Sequence, residues 1–113
     1  MIHNEVTTRA LVITHGRIGI ELKNVVEMIL GPVENFDAMT NSGKSGPDIS
    51  NEITKWLDSP AENTEGETHP GCQCIILIDD YGGSCATAAQ LAAHGRPKIA
   101  VISGVNLAML LGL

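Results

Sequence analysis

Three short apolar runs, each ending at a turn and followed by a helix-like segment, constrain the fold of this chain most strongly. They cover residues 10–14, 72–79 and 98–103, and valine and isoleucine are frequent in them. Such runs are typical of strands buried in a parallel sheet. The sequence therefore predicts an α/β fold, doubly wound, with a mainly parallel four-stranded sheet and helices on both faces.

The segments between these runs supply the remaining elements. Residues 18–30 place apolar side chains at three- and four-residue steps, which predicts an amphipathic helix. A second helix is expected to begin at Pro47 or Asp48, and a third to cover residues 86–93. Residues 35–40 predict a short, weak strand. Strands and helices thus alternate along the chain.

The 113 residues are sufficient for one domain, so we treat 1–113 as a single unit. Residues 1–8 are expected to form an N-terminal tail. Residues 58–71 are acidic and contain proline and glycine, which predicts an acidic surface loop.

Composition excludes several classes of partner. The net charge is −6 and aromatic residues make up only 3% of the chain, so no nucleic-acid partner is expected. The three cysteines are an odd number and no secretion signal precedes them. Both observations predict a reduced, cytoplasmic protein.

Two polar residues end predicted strands and are candidates for catalysis. His15 follows the first apolar run, and Asp79 ends the second. If the strands are neighbours, the carboxylate can hold one ring nitrogen as N–H while the other nitrogen accepts a phosphoryl group. The alternatives are a histidine that caps its helix and an aspartate that caps a helix or lies in a solvated turn.

Glycine-rich turns beside these residues predict a phosphate site. Gly82 and Gly83 precede a helix, where backbone N–H groups can face an anion, although a Gly-Gly turn is common. Arg17 can contact phosphate, or it can be an ordinary solvated arginine. The predicted phosphate-binding residues are Gly16, Arg17, Gly82, Gly83 and Ser84.

The cysteines do not predict a metal site. Cys72 and Cys74 share one face of a strand and His69 is nearby in sequence, but no second ligand pair is spaced to complete a site. Cys85 lies near a helix N-terminus, which predicts a lowered pKa and a reactive thiol. No metal and no cofactor are expected.

Four blocks of sequence together resemble a known family. They are LVITHG at residues 11–16, EMILG at 27–31, LIDDYGGS at 77–84 and VISGVNLAML at 101–110. In this order and spacing they are similar to the mannose/fructose-class enzyme IIA (EIIA) domain of the bacterial phosphoenolpyruvate-dependent sugar phosphotransferase system (PTS). The resemblance covers residues 9–113, and the chain departs from the family pattern at Asp80 and Cys85.

The resemblance implies a phosphotransferase that carries a phosphoryl group on His15. The donor would be the phosphocarrier HPr, the acceptor an enzyme IIB, and the role sugar uptake or a regulatory relay. Asp79 would hold the His15 ring, residues 82–84 would cradle the phosphate, and the turn at 104–106 would help close the pocket. Contact with a membrane is expected only through a permease complex. The alternatives are a non-catalytic interaction module with the same fold and the related dihydroxyacetone-kinase phosphotransfer subunit.

The last fifteen residues, 99–113, predict a buried strand and the start of an apolar helix. Family domains continue further, with a helix and often a strand exchanged across a dimer, which are missing here. The apolar tail either folds back onto the sheet or is covered by a second copy. We favour self-association, so a homodimer is expected.

Overall fold

The computed structural model describes residues 8–59, 73–79 and 83–112, which alternate between strands and helices as predicted. The strands are β1 (Thr8–Thr14), β2 (Phe36–Thr40), β3 (Gln73–Ile78) and β4 (Ile99–Ser103). The helices are α1 (Ile18–Leu30), α2 (Gly46–Asp58), α3 (Ser84–Ala93) and α4 (Leu107–Leu111). Among these described helices, none combines the length and the hydropathy that crossing a bilayer requires.

Helix α2 begins at Gly46, one residue before the earlier of its two predicted starts, because Ser45 caps it. The Ser45 hydroxyl accepts a hydrogen bond from the backbone N–H of Asp48, and the Asp48 carboxylate accepts one from the N–H of Ser45. This reciprocal pair is a capping box, which satisfies backbone donors at the start of a helix.

Both predicted non-regular segments are shorter than expected where the structure describes them. Thr8, placed in the tail 1–8, is the first residue of β1, and residues 1–7 lie outside the described residues. Asp58, placed in the loop 58–71, is the last residue of α2, and residues 60–71 likewise lie outside the described residues.

All four strands are parallel and lie in the order β2-β1-β3-β4, so the predicted doubly wound sheet is confirmed. From β1 the chain passes through α1 to β2 on one side. From β3 it passes through α3 to β4 on the other side. The carboxyl ends of β1 and β3 therefore flank the point where the connections diverge, which is where sheets of this kind bind ligands.

Helices cover both faces of the sheet and create two apolar cores. Leu11 and Ile13 of β1 pack in the core beneath α2 and α3. Ala10 and Val12 pack in the opposite core, with α1 and α4. Because successive side chains of a strand point to opposite faces, a strand covered on both sides needs an apolar residue at every position. This explains the uninterrupted apolar run in β1.

Strand β4 is more exposed than its sequence predicts. It occupies an edge of the described sheet, where it pairs with β3 alone. Ala100 and Ser103 are exposed, and Ile102 retains 38% of its accessible surface. The expectation of a buried strand is therefore wrong, because an apolar run does not distinguish a central strand from an edge strand.

The apolar residues that follow β4 fold back onto the sheet. Leu110 is 3% exposed and belongs to the core that also contains Val26 of α1. The sequence left two alternatives for this tail, which were folding back onto its own sheet or being covered by a second copy. The described residues fold back, and α4 covers the sheet of its own chain. The partly buried residues packed against the same core include Val105, Leu107, Met109 and Leu111.

Candidate functional site

The candidate site lies at the carboxyl ends of β1 and β3, which are adjacent in the sheet. Ile13 of β1 pairs with Ile78 of β3. Asp79 follows that pair directly, and His15 follows it after one further residue. The two polar side chains singled out from the sequence therefore leave the sheet at the same edge and meet there.

One carboxylate holds both the backbone and the ring of His15. Asp79 Oδ2 accepts a hydrogen bond of 3.1 Å from the His15 backbone N–H. The His15 Nδ1 atom lies 3.3 Å from Asp79 Oδ1 and 3.2 Å from Oδ2. A carboxylate only accepts hydrogen bonds, so this contact favours the tautomer with the proton on Nδ1. The Nε2 atom then keeps its lone pair.

The free ring nitrogen faces the N-terminus of α3. A Cβ atom placed on Gly83 would lie 3.0 Å from His15 Cε1 and 3.3 Å from Nε2. The backbone of Gly83 is extended, with φ of −87°, so glycine is needed here for close approach and not for an unusual conformation. The positive end of α3 and its free N–H groups therefore lie beside Nε2.

The turn after β1 is fixed by a residue that the sequence analysis did not single out. Gly16 has φ of +59°, a left-handed conformation that favours glycine, and its N–H donates a 3.1 Å hydrogen bond to Asn41 Oδ1. The Asn41 N–H in turn donates to the Thr14 carbonyl. Asn41 follows β2, the other neighbour of β1, and that position at the same sheet edge is the signal that could have identified it.

Helix α1 starts from a fixed point on β1. The buried Thr14 hydroxyl accepts a 2.7 Å hydrogen bond from the N–H of Gly19, in the first turn of the helix. Arg17, predicted to bind phosphate, forms an exposed ion pair with Glu21 at 3.3 Å. Thr14 thus anchors the segment that carries His15, whereas the Arg17 guanidinium faces an acidic partner on its own helix.

Cys85 lies beneath the site and does not have the predicted acidity. Its side chain is fully buried, and burial together with the nearby Asp79 charge raises the pKa of the thiol above its ordinary value. A hydrogen bond with Ser84 acts in the opposite direction but is the smallest of the three effects. The expectation of a lowered pKa is wrong, because desolvation of the thiol and the neighbouring Asp79 carboxylate both raise it.

Some of the remaining predicted residues lie at the site, and the others lie outside the residues that the structure describes. Ser84 is the first residue of α3, and it lines an open groove between α2 and α3. The Val105 N–H bonds to the Ile78 carbonyl, which places the turn at 104–106 next to the residue before Asp79. Outside the described residues lie Gly82, Asp80, Cys72 and His69.

The comparisons with known proteins agree with this architecture. Residues 9–113 match the family described as PTS system fructose IIA component. No curated protein sequence is significantly similar to the chain. Component EIIA of the phosphotransferase system from Streptococcus agalactiae has a TM-score of 0.76 at 21% identity, over 93% of this chain and 75% of that one.

Two further solved structures share the fold. A putative phosphoenolpyruvate-dependent sugar phosphotransferase permease from Klebsiella pneumoniae has a TM-score of 0.75 at 18% identity, over 98% of this chain and 74% of that one. The mannose/sorbose-specific IIA subunit from Enterococcus faecalis has a TM-score of 0.71 at 22% identity, over 93% and 74%. Because the family match extends over nearly the whole sequence and the parallel sheet agrees with it, this chain belongs to the family of PTS fructose IIA components.

Proposed function

We propose that this chain is a phosphoryl carrier that accepts a phosphoryl group on His15 Nε2 from phospho-HPr and passes it to an enzyme IIB. In the first step the bond between phosphorus and HPr breaks as the bond to Nε2 forms. In the second step the Nε2–phosphorus bond breaks as the enzyme IIB nucleophile attacks. The transfer serves sugar uptake or a regulatory relay, and it takes place in the cytoplasm, with membrane contact only through a permease complex.

The observation that carries this proposal is the difference in environment between the two nitrogens of the His15 ring. Asp79 accepts from Nδ1, so Nε2 is the nucleophile, and the positive charge that forms on the ring during transfer is stabilised by the same carboxylate. The His15 side chain is 43% exposed, which allows a partner protein to reach it.

The surroundings of Nε2 support a bound phosphoryl group. Gly83 leaves room at the ring, and α3 directs its free N–H groups toward the same space. We assign phosphate contacts to Gly16, Gly82, Gly83 and Ser84. Arg17 is a further phosphate contact if its guanidinium leaves Glu21, a change that the exposed ion pair opposes only weakly.

Transfer can be measured directly with purified components. Incubation with phosphoenolpyruvate, enzyme I and HPr should add one phosphoryl group to the intact mass, and acid should remove it, as expected for phosphohistidine. His15→Ala should abolish the incorporation. His94→Ala is the matched control, because His94 is an exposed histidine at the end of α3.

Each alternative has its own outcome in this assay. Labelling that persists in His15→Ala would contradict the assignment of the nucleophile. An unchanged mass of the wild-type protein would identify a non-catalytic module with the same fold. Labelling only by the phosphoryl donor of a dihydroxyacetone-kinase system would identify the related phosphotransfer subunit.

The same proposal includes a homodimer. The basis expected from the sequence was the apolar tail, but the tail is largely covered by its own chain. Support comes instead from large apolar side chains that stay exposed on the described surface, among them Met28 at 82% and Ile29 at 57% near the end of α1. Sedimentation at micromolar concentration should give the mass of a dimer, and a clean monomer would contradict it.

A further inference from the structure

Three side chains of different chemistry converge at the candidate site. His15 follows β1, Asp79 follows β3, and Cys85 is the second residue of α3. One ring nitrogen, one carboxylate oxygen and the thiol sulfur all lie within 4.8 Å of one another. The proposed phosphoryl transfer uses the first two residues, whereas the thiol packs in the core beneath α2 and α3 and takes no part in the transfer.

We propose that His15, Asp79 and Cys85 form a binding site for a zinc-class divalent cation. Imidazole nitrogen, carboxylate oxygen and thiolate sulfur are the three ligand types that zinc takes in proteins. Sulfur excludes the hard cations Mg²⁺ and Ca²⁺, which select oxygen ligands. Three protein ligands leave one coordination position for water, on the side where His15 is exposed.

The distances suit a tetrahedral cation after a small adjustment. Zinc bonds of about 2.0–2.1 Å to nitrogen and oxygen place those two ligands about 3.3 Å apart, and a bond of about 2.3 Å to sulfur gives edges of about 3.6 Å. The His15 Nδ1 and Asp79 Oδ2 atoms are already 3.2 Å apart. The longest of the three ligand separations is 4.8 Å at most and has to shorten by about 1 Å for tetrahedral coordination.

Charge balance at this depth couples metal binding to loss of the Cys85 proton. Asp79 is 15% exposed and Cys85 is fully buried, so the thiolate forms beside the carboxylate only when a cation neutralises both. A divalent cation neutralises the carboxylate and the thiolate, and the imidazole adds no charge. On binding, the Cys85 sulfur–hydrogen bond breaks, the proton passes to solvent and the sulfur–metal bond forms.

The consequence for transfer rests on the proposed function. If the cation binds Nε2, it occupies the nitrogen that accepts the phosphoryl group. If it binds Nδ1, the ring proton moves to Nε2 and removes its lone pair. In both arrangements the cation and the phosphoryl group exclude each other, so the metal inhibits the carrier.

Cobalt provides a spectroscopic test on the protein alone. Co²⁺ added to the full chain, with a reductant that is not a thiol, should produce the thiolate-to-cobalt charge-transfer absorption and the visible bands of a four-coordinate ion. Zn²⁺ should displace it. Cys85→Ser should lose the charge-transfer absorption, and His15→Gln should weaken Zn²⁺ binding by about tenfold or more. Circular dichroism shows whether each variant is folded, and Cys85→Ala is a second thiol-free variant in case Ser is not tolerated.

The other cysteines supply the matched control. The double variant Cys72→Ala/Cys74→Ala retains Cys85 as its only thiol, and it should keep the full absorption. If the absorption is lost in that variant and kept in Cys85→Ser, the metal binds elsewhere and the proposal is overturned. Absence of the charge-transfer absorption in the wild-type protein overturns it as well.

A transfer assay then separates the two proposals. Each protein is compared with its own metal-free rate, so that a direct effect of the substitution on transfer cancels. The ratio of the rate with Zn²⁺ to the rate without it should fall at least about tenfold in the wild type and stay near one in Cys85→Ser. Bound metal with no transfer under any condition refutes the carrier function alone, and transfer without metal binding refutes the metal site alone.

Discussion

At the scale of single residues, the Asp79 carboxylate determines which nitrogen of His15 would react in the proposed transfer. It contacts both the backbone N–H and Nδ1 of that residue, so the position and the tautomer of the ring depend on the same group. Asp79 therefore acts through His15, as a positioning residue in the proposed transfer.

Asp79→Asn should slow phosphorylation by on the order of 10²- to 10⁴-fold with little loss of structure, because an amide N–H directed at Nδ1 favours the tautomer with the proton on Nε2. Nitrogen NMR of the ring should show that proton moving from Nδ1 to Nε2. Asp80→Asn, at the next position in the sequence, is the control and should change the rate far less. Equal effects of the two substitutions would contradict the role given to Asp79.

Gly83→Ala tests whether the ring needs the space beside α3. The added Cβ would lie 3.0 Å from His15 Cε1, so the ring must shift by a few tenths of an ångström, and we expect transfer to slow by roughly tenfold. Gly46→Ala is the control, because Gly46 also begins a helix and has no atom near its added Cβ. If stopped-flow transfer rates are the same in both variants, close approach of Gly83 is unimportant.

The pair His15 and Asp79 could be predicted because parallel strands end at one sheet edge, so a polar residue at each end is evidence of a site. The same rule applies to Asn41, which directly follows β2. The burial of Cys85 could not be predicted in this way, because it depends on how α2 and α3 pack around the site, and a single sequence does not contain that arrangement. The wrong expectation for the Cys85 pKa has the same cause.

At the scale of elements, the hydrophobic periodicity of the sequence predicts most boundaries of the helices and strands. α1 covers 18–30 as predicted, since its apolar stripe and the terminating Gly31 are local features. The order of the strands is not local, which is why the edge position of β4 was missed. The hydrogen bonds of Arg9 were not predicted for a related reason, because its partners lie about fifty residues away in the sequence.

Arg9 joins the start of β1 to the end of α2. Its guanidinium donates to the Trp56 carbonyl at 2.8 Å and to the Ser59 carbonyl at 3.0 Å, and it lies 4.1 Å above the Trp56 ring. The residue is only 5% exposed. A buried cation is thus held by the last carbonyls of a helix and by an aromatic face, which are favourable partners for it.

Arg9→Lys should lower the free energy of unfolding by about 2–3 kcal/mol, because one ammonium cannot keep both carbonyl bonds and the planar stacking. Arg96→Lys is the matched control. Arg96 also binds the end of α2, through Asp58 at 2.8 Å, but that pair is largely exposed and should contribute less than about 1 kcal/mol. Urea unfolding followed by circular dichroism measures both, and similar losses in the two variants would contradict this account of Arg9.

At the scale of the whole molecule, one sheet separates two cores that must form together. β1 and β3 contribute alternate residues to both cores, so loss of packing on either face weakens the same strands. Helix α4 has only five residues, too few to be stable alone, and it depends on this packing. The fold should therefore unfold in one transition that includes α4.

Leu110→Ala tests that coupling from the face opposite the single tryptophan. Leu110 is 3% exposed in the core with α1, whereas Trp56 belongs to the core with α2 and α3. Truncation of a buried leucine should lower the free energy of unfolding by about 2–4 kcal/mol. If the two cores are coupled, Trp56 fluorescence and circular dichroism should both shift to the same lower urea midpoint.

Leu91→Ala, at a leucine that is 66% exposed on α3, is the control and should change the stability by less than about 0.5 kcal/mol. A Trp56 transition that is unchanged by Leu110→Ala would mean that α4 unfolds separately from the rest of the chain. That result would contradict the coupling of the two cores.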